Sequence, residues 1–335
     1  MSQSDSKLAR WDAGPYTLVE PEEGIFLSDP ISGLKYRLRL GPHNFPVNTV
    51  SCGDMFLEAG DCLSARVHPT IDMIFFVVTG SILIASKNQT QEVRPDGVAF
   101  VQHGSGYELS AVESARLIWI STPNGFEDAA RVQHLKERTQ HSGISQHIEL
   151  ATQTKSLEDG LNGSDQSIRS HVIVRNSEDG WSNWQAEPTR GYTNALLTPE
   201  VTGSVSFAMG IQTIAPNGGE LLTHAHARNE EMKIVIRGQG EATLNGVDAP
   251  VEQGSLVFNG RYINHGFRNH GDTEMAILWF ITPPGLEYFL EAIGRPRQHG
   301  ESEPAPFDFP ENILSLLNQH GFDTKVNRAI SEQEN

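Results

Sequence analysis

A chain of 335 residues is too long for a single small core, and its length predicts two domains, each able to bury its own interior. With 38% hydrophobic and 20% charged residues it has the balance of a soluble globular protein and not that of a disordered or membrane-embedded one. The formal net charge of −17 repels phosphate backbones and anionic headgroups, which argues against nucleic-acid and membrane-surface roles.

The N-terminus, Met1 to Arg10, has no apolar segment of the secretory type, and no window approaches 18 uninterrupted apolar residues, so a cytoplasmic location is expected. Cys52 and Cys62 match no metal spacing and are too few for a disulfide framework, so both are read as small apolar residues of a reducing compartment. The 31 Gly and 18 Pro favour many short strands joined by tight turns.

In chain order, β-branched and aromatic runs bounded by Gly, Pro and Asn predict strands at Phe56–Leu57, Ile71–Val78, Ser81–Ala85 and Arg116–Ile120. A second set falls at Phe207–Thr213, Lys233–Ile236, Glu241–Leu244 and Met275–Ile281. Their spacing of roughly 8–12 residues is that of an all-β sandwich or barrel. Helical patterns run from Asp128 to Leu135, over Ser145–Leu150 and from Tyr288 to Ile293. The amphipathic stretch Ile313–Leu317 reads as packing, and the last residues read as frayed.

The two sets repeat each other. Ile118-Trp-Ile-Ser-Thr-Pro-Asn-Gly-Phe-Glu127 parallels Leu278-Trp-Phe-Ile-Thr-Pro-Pro-Gly-Leu-Glu287, and Gly97-Val-Ala-Phe100 parallels Gly254-Ser-Leu-Val-Phe258. So long a period indicates two copies of one domain. The expected layout is a first domain over 1–135, a Gln-, Ser- and Thr-rich linker over 136–170, a second domain over 171–294 and a tail over 295–335.

The chemistry concentrates in the second copy. Gly218 is followed by His224, His226, Glu231 and Gly238; Gly254 is followed by His265 and Asn269. Strand side chains alternate with period two, so a His-x-His pair directs both imidazoles to one face, with Cα atoms roughly 6.6 Å apart. A following carboxylate and a third imidazole complete a donor set suited to one divalent ion with open coordination positions. Glu230 competes with Glu231 for the carboxylate role. The remaining histidines, His43, His134, His141, His147, His171, His270, His299 and His320, have no partner at ligand spacing and are read as surface groups.

These segments resemble the two cupin motifs. The first matches Gly-x5-His-x-His-x4-Glu-x6-Gly at every fixed position. The second matches Gly-x5-Pro-x-Gly-x2-His-x3-Asn except that Gly260 replaces Pro and Tyr262 replaces Gly. The resemblance implies an all-β fold of two tandem cupin (double-stranded β-helix, jelly-roll) barrels with a few short helices. It also implies a metal held by His224, His226, Glu231 and His265. In the first copy Arg66, Met73 and Tyr107 or Glu108 stand at ligand positions and only His68 remains, with Asp72 as one substitute carboxylate. That copy is expected to be structural, or a pocket without metal.

A bicupin with one intact site resembles quercetin dioxygenase-like and gentisate dioxygenase-like enzymes, although gentisate-type enzymes carry their ligands in the other half and lack the Glu. The resemblance implies a dioxygenase-type oxidoreductase bringing O₂ and a small oxygenated or aromatic metabolite to Fe(II), with Mn, Ni, Cu or Zn as the other candidate ions. Two other functions are kept open: a metal-dependent isomerase, epimerase or decarboxylase, and a non-catalytic ligand-binding cupin. Glu231 is the candidate base and Arg261 the candidate cation for an anionic substrate. Met209, Gln212, Phe258 and Trp279 are further candidates for the pocket wall. A homodimer is expected from the way cupins commonly pair.

Overall fold

A computed structural model describes residues 14–87, 89–128, 155–156 and 170–323. The helix expected at Ser145–Leu150, nearly all of Asp128–Leu135, most of the linker and the last residues lie outside these. All eight predicted strands are present, most of them longer than the sequence runs: Ser51–Leu57, Asp72–Thr79, Ile82–Ser86, Ala115–Thr122, Ala208–Ile214, Glu230–Arg237, Gln239–Leu244 and Met275–Thr282. Among the described residues the helices are few and short: Pro199–Thr202, Glu287–Ile293 and Ile313–Gln319. Among the described residues no helix is long and apolar enough to cross a membrane.

The chain divides into two compact units, one formed by Glu23–Asp179 and the other by Gly180–Asn335 together with Met1–Glu22. These boundaries differ from those drawn on the sequence repeat. Tyr16–Val19 pairs antiparallel with Leu256–Asn259, so the start of the chain completes an edge of the second barrel. Val172–Arg175 pairs with Val98–Val101 and belongs to the first. Backbone hydrogen bonds at open sheet edges decide both placements, and edge pairing leaves no mark in side-chain periodicity.

The first barrel packs a seven-stranded sheet against a five-stranded one, and Leu38, Phe75, Val77 and Trp119 from the larger meet Leu63, Ile84 and Leu109 from the smaller. The second packs an eight-stranded sheet against a four-stranded one. Along Glu230–Arg237 the residues Glu231, Lys233 and Val235 share one face, and along Met275–Thr282 the inward set is Met275, Ile277, Trp279 and Ile281. Toward one end of the barrel Val235, Ile277, Ala242 and Phe267 fill the interior. Toward the other the inward residues become Gln212, Glu231, Lys233 and Trp279, and the space between them stays open.

Close approach explains two glycines. A Cβ on Gly210 would lie 2.1 Å from the Asn194 carbonyl oxygen and 2.5 Å from Trp279 Cζ2, and one on Gly53 would lie 1.7 Å from the Arg37 oxygen and 2.7 Å from Trp119 Cζ2. Each barrel thus seats its repeated tryptophan directly over a glycine of the neighbouring strand, Trp279 opposite Gly210 and Trp119 opposite Gly53.

Candidate metal centre

His224 ends the strand Gly219–His224 and lies opposite His265, which opens the strand His265–Asn269. His226 falls just past the strand, in a segment held by backbone pairing with Phe322. Glu231 enters from the facing sheet. One ligand-type atom from each of these four residues falls within 4.8 Å of the others, and the ring centroids of the three histidines are 4.3, 4.8 and 5.1 Å apart. Tyr262 occupies a left-handed conformation (φ 64°) where the motif has glycine, and its N–H donates to the His226 carbonyl. The turn geometry therefore survives without the glycine, anchored by a bond to the ligand segment itself.

The tautomers of two histidines follow from their neighbours. Nδ1 of His224 lies 2.7 Å from the Leu222 carbonyl and Nδ1 of His265 lies 2.9 Å from the Ile263 carbonyl. A carbonyl can only accept, so each Nδ1 carries the proton and each Nε2 presents a lone pair to the cluster. Burial keeps all three imidazoles neutral: it lowers His224 well below the usual range, lowers His226 as well, and brings His265 to about 4. For Glu231 burial alone acts upward, but Lys233 and the neighbouring histidines outweigh it and hold the carboxyl well below its usual range.

His265 Nε2 then faces Glu231 Oε2 at 2.8 Å, one acceptor against another, with His226 Nε2 at 3.4 Å from the same oxygen. None of these three buried atoms has a hydrogen-bond partner. His265 Nε2 and Glu231 Oε2 converging with no proton between them are the arrangement a cation resolves, and three imidazole nitrogens with one carboxylate suit a divalent first-row ion. The donor set fits the metal that the sequence motif implies.

The sequence reading missed Lys233. It is 2% exposed, lines the same cavity two residues after Glu231 on the same strand face, and its ammonium contacts the Glu231 carboxylate. Burial lowers its pKa, opposed by Glu231. The alternation of the strand was the signal available, because a lysine at i+2 from an inward ligand also points inward.

Arg261, expected near the ion, lies in an exposed turn away from the cavity, where its carbonyl accepts from the Gly14 N–H. Gln212 and Trp279 do line the cavity, whereas Met209 and Phe258 are buried without lining it. Glu230 does not belong to the cluster, and His270 is exposed.

The cavity has a volume of about 730 Å³. Its inner end carries His224, His226 and Glu231 with Lys233, Gln185, Gln212 and Trp279, and its outer wall is apolar: Leu286, Phe289 and Ile293, then Phe309, Ile313 and Leu317. The amphipathic stretch of the tail does pack, as its pattern indicates, but the surface it forms is a wall of the site. Helix Ile313–Gln319 turns Ile313, Leu316 and Leu317 inward and leaves Leu314 59% exposed.

The first barrel places other chemistry at the matching positions. Arg66 lies opposite Tyr107 as His224 lies opposite His265. Arg66 makes two hydrogen bonds to Asp29, at 2.6 and 3.0 Å, and His68 Nε2 meets the Tyr107 hydroxyl at 3.0 Å. Met73, Phe75, Trp119 and Phe126 fill the remaining interior. Asp72 accepts from the backbone and the ring of His103. Elsewhere in this barrel His43, Glu127 and Asp128 also lie close together, but Ser51 and Gly125 donate to Glu127 and the His43 ring meets Asp128.

A cupin domain family model matches residues 210–281, the segment holding every clustered residue. Over 93 residues the chain is 33% identical to protein SchB of Streptomyces halstedii, covering 28% of this chain and 67% of that protein. The chain belongs to the cupin superfamily. Polyketide synthase CurC of Streptomyces cyaneus is 31% identical to this cupin over 102 residues, which is 30% of the chain and 66% of CurC. The chain thus spans about two thirds of the length of each of these relatives. Among solved structures, oxalate decarboxylase of Bacillus subtilis superimposes with a TM-score of 0.56 at 13% identity, covering 79% of this chain and 75% of that one. AerE of Microcystis aeruginosa gives 0.51 at 11% identity, covering 77% and 97%. At these identities the likeness is one of fold, and it extends over both barrels.

Proposed function

We propose that the second barrel binds one divalent metal through His224, His226, Glu231 and His265, and that the protein is a metal-dependent oxygenase of the dioxygenase type acting on a small oxygenated or aromatic metabolite. The observation that carries the metal is the facing of His265 Nε2 and Glu231 Oε2 at 2.8 Å with no proton available between them. The bound ion supplies Lewis acidity at a substrate oxygen and, for a redox-active ion such as Fe(II), electrons for reaction with O₂. Mn fits the same donors, and B. subtilis oxalate decarboxylase has Mn(II) centres.

The chain's own groups do the rest. Leu286, Phe289, Ile313 and Leu317 exclude water and seat an apolar body against the outer wall. Gln185, Gln212 and Trp279 present polar hydrogens near the inner end, and the Nε1 of Trp279 and Nε2 of Gln185 are buried without a partner. Glu231 accepts a proton from a substrate hydroxyl at its carboxylate oxygen.

A second reaction class draws support from the contact between Glu231 and Lys233: a carboxylate and an ammonium inside one cavity can move a proton without O₂, as an isomerase or decarboxylase requires. Metal analysis of freshly purified protein, followed by O₂ uptake and anaerobic turnover over a panel of phenols, enols and keto acids, separates the two. The oxygenase reading expects stoichiometric metal and O₂ consumption abolished by a chelator. Anaerobic turnover would replace it with the second reading, and the absence of metal after reconstitution would overturn both.

A further inference from the structure

In the second barrel Glu231 and Lys233 meet as a buried carboxylate and ammonium, one charge of each sign, while His224 and His265 each spend the Nδ1 proton on a backbone carbonyl and present a bare Nε2. Adding a divalent ion to this group leaves an excess of two positive charges in a cavity whose walls are mostly apolar. The other carboxylates lining that cavity, Glu187 and Asp308, are half-buried and exposed, toward its opening. Uncompensated charge at such depth is costly, and an anionic oxygen on the bound ligand removes the excess.

Lys233 is placed to meet that oxygen. It reaches the cavity from the strand position next to Glu231 on the same face, and its Nζ has no hydrogen bond of good geometry despite its contact with the carboxylate. Its Nζ stands 5.9 Å from the centroid of the Phe267 ring. Once the Glu231 carboxylate is engaged by an ion, the lysine keeps donors to offer in a cavity that Trp279 and Gln212 also line.

We propose that Lys233 Nζ seats an anionic oxygen of the bound ligand beside the metal, so that the cavity selects a carboxylate or an ionised enol or phenol carried on a largely apolar body. This rests on the metal reading above. It assigns to Lys233 the anchoring role that sequence reasoning gave to Arg261, and it makes the site discriminate against neutral molecules of the same shape.

The test uses the full chain, stripped with chelator and reloaded with Mn(II), as wild type, Lys233→Met and Lys233→Arg. Mn(II) affinity is measured first, by titration. Binding of 4-fluorobenzoate and of its neutral analogue 4-fluorobenzamide is then followed by the broadening of the fluorine resonance by Mn(II). All three proteins are expected to bind one Mn(II), and both probes are compared at saturating Mn(II) for each protein. The benzoate is expected to bind wild type and Lys233→Arg, and to bind Lys233→Met at least tenfold more weakly, while the benzamide does not distinguish the three. Equal benzoate affinity in wild type and Lys233→Met, no benzoate binding to the Mn(II)-loaded wild type, or equal loss of both probes overturns the role of Lys233 alone. Failure of the wild type to take up Mn(II) overturns the metal reading and this inference with it.

Discussion

Phe322 pairs its backbone with His226 and sets its ring 4.8 Å from the imidazole, so the end of the described chain is built into the wall of the site. Hydrogen bonds on either side, from Ala227 N–H to the Gly321 carbonyl and from Asp323 N–H to the Ala225 carbonyl, bracket the histidine. Phe322 also packs on Phe289 and stands 5.4 Å from His224.

Phe322→Ala is therefore expected to loosen the tail and the ligand segment together. Losing a buried phenyl ring costs about 3 kcal/mol at such a site. Its specific signature is kinetic: a metal ion loaded into the variant should be removed by chelator at least about tenfold faster than from wild type, in the range by which supporting groups alter metal sites. An unchanged removal rate would show that the tail does not guard the ion.

Removing one ligand should separate the barrels functionally. His265→Ala is expected to lower metal affinity by about 100-fold or more, since three donors remain and the acceptor opposite Glu231 is gone. His68→Ala, at the corresponding level of the first barrel, is expected to leave the metal content of the protein unchanged, because its ring is engaged with Tyr107. Metal analysis of both variants after identical reconstitution gives the answer.

Gly210→Ala tests the packing that shapes the inner cavity. The added methyl meets the Asn194 oxygen and the Trp279 ring, so the strand or the indole has to move. Overpacking of this kind costs about 1–3 kcal/mol. The expected outcome is a lowered melting temperature together with weakened ligand binding, with Trp fluorescence reporting displacement of the indole.

His68 makes the stability of the first barrel dependent on pH. Burial depresses its pKa from the ordinary 6.5 to about 3, with the Arg66 charge acting the same way. Between these values the unfolded chain holds a proton that the folded one does not, so stability is intact above about pH 6.5 and is lost as the pH falls toward 3. The slope for one proton is about 1.4 kcal/mol per pH unit. His68→Gln keeps a polar group near Tyr107 and should flatten that dependence; urea denaturation at pH 7, 6 and 5 compares the two proteins.

The amino-acid sequence by itself determined the parts that rest on local order. β-branched and aromatic runs bounded by Gly, Pro and Asn located the strands, the internal repeat showed two copies of one β domain, and the spacing of His224, His226, Glu231 and His265 brought out one donor set, because strand geometry converts spacing into facing. It also showed in Arg66, Met73 and Tyr107 that the first copy lacks such a set, which the Arg66–Asp29 pair and the aromatic filling now explain.

Only the tertiary structure decided what lies across a cavity from what. Lys233 is one lysine among alternating strand residues until the barrel closes and leaves it buried against Glu231. Arg261 lies between two motif positions yet is exposed, because a turn carries it outward. Tyr16–Val19 and Val172–Arg175 join edges that no pattern of side chains names, and Ile313–Leu317 became a wall of the site by docking at long range. These are contacts between residues distant in the chain, whose energy comes from desolvation and edge hydrogen bonding that exist only after the barrels have formed.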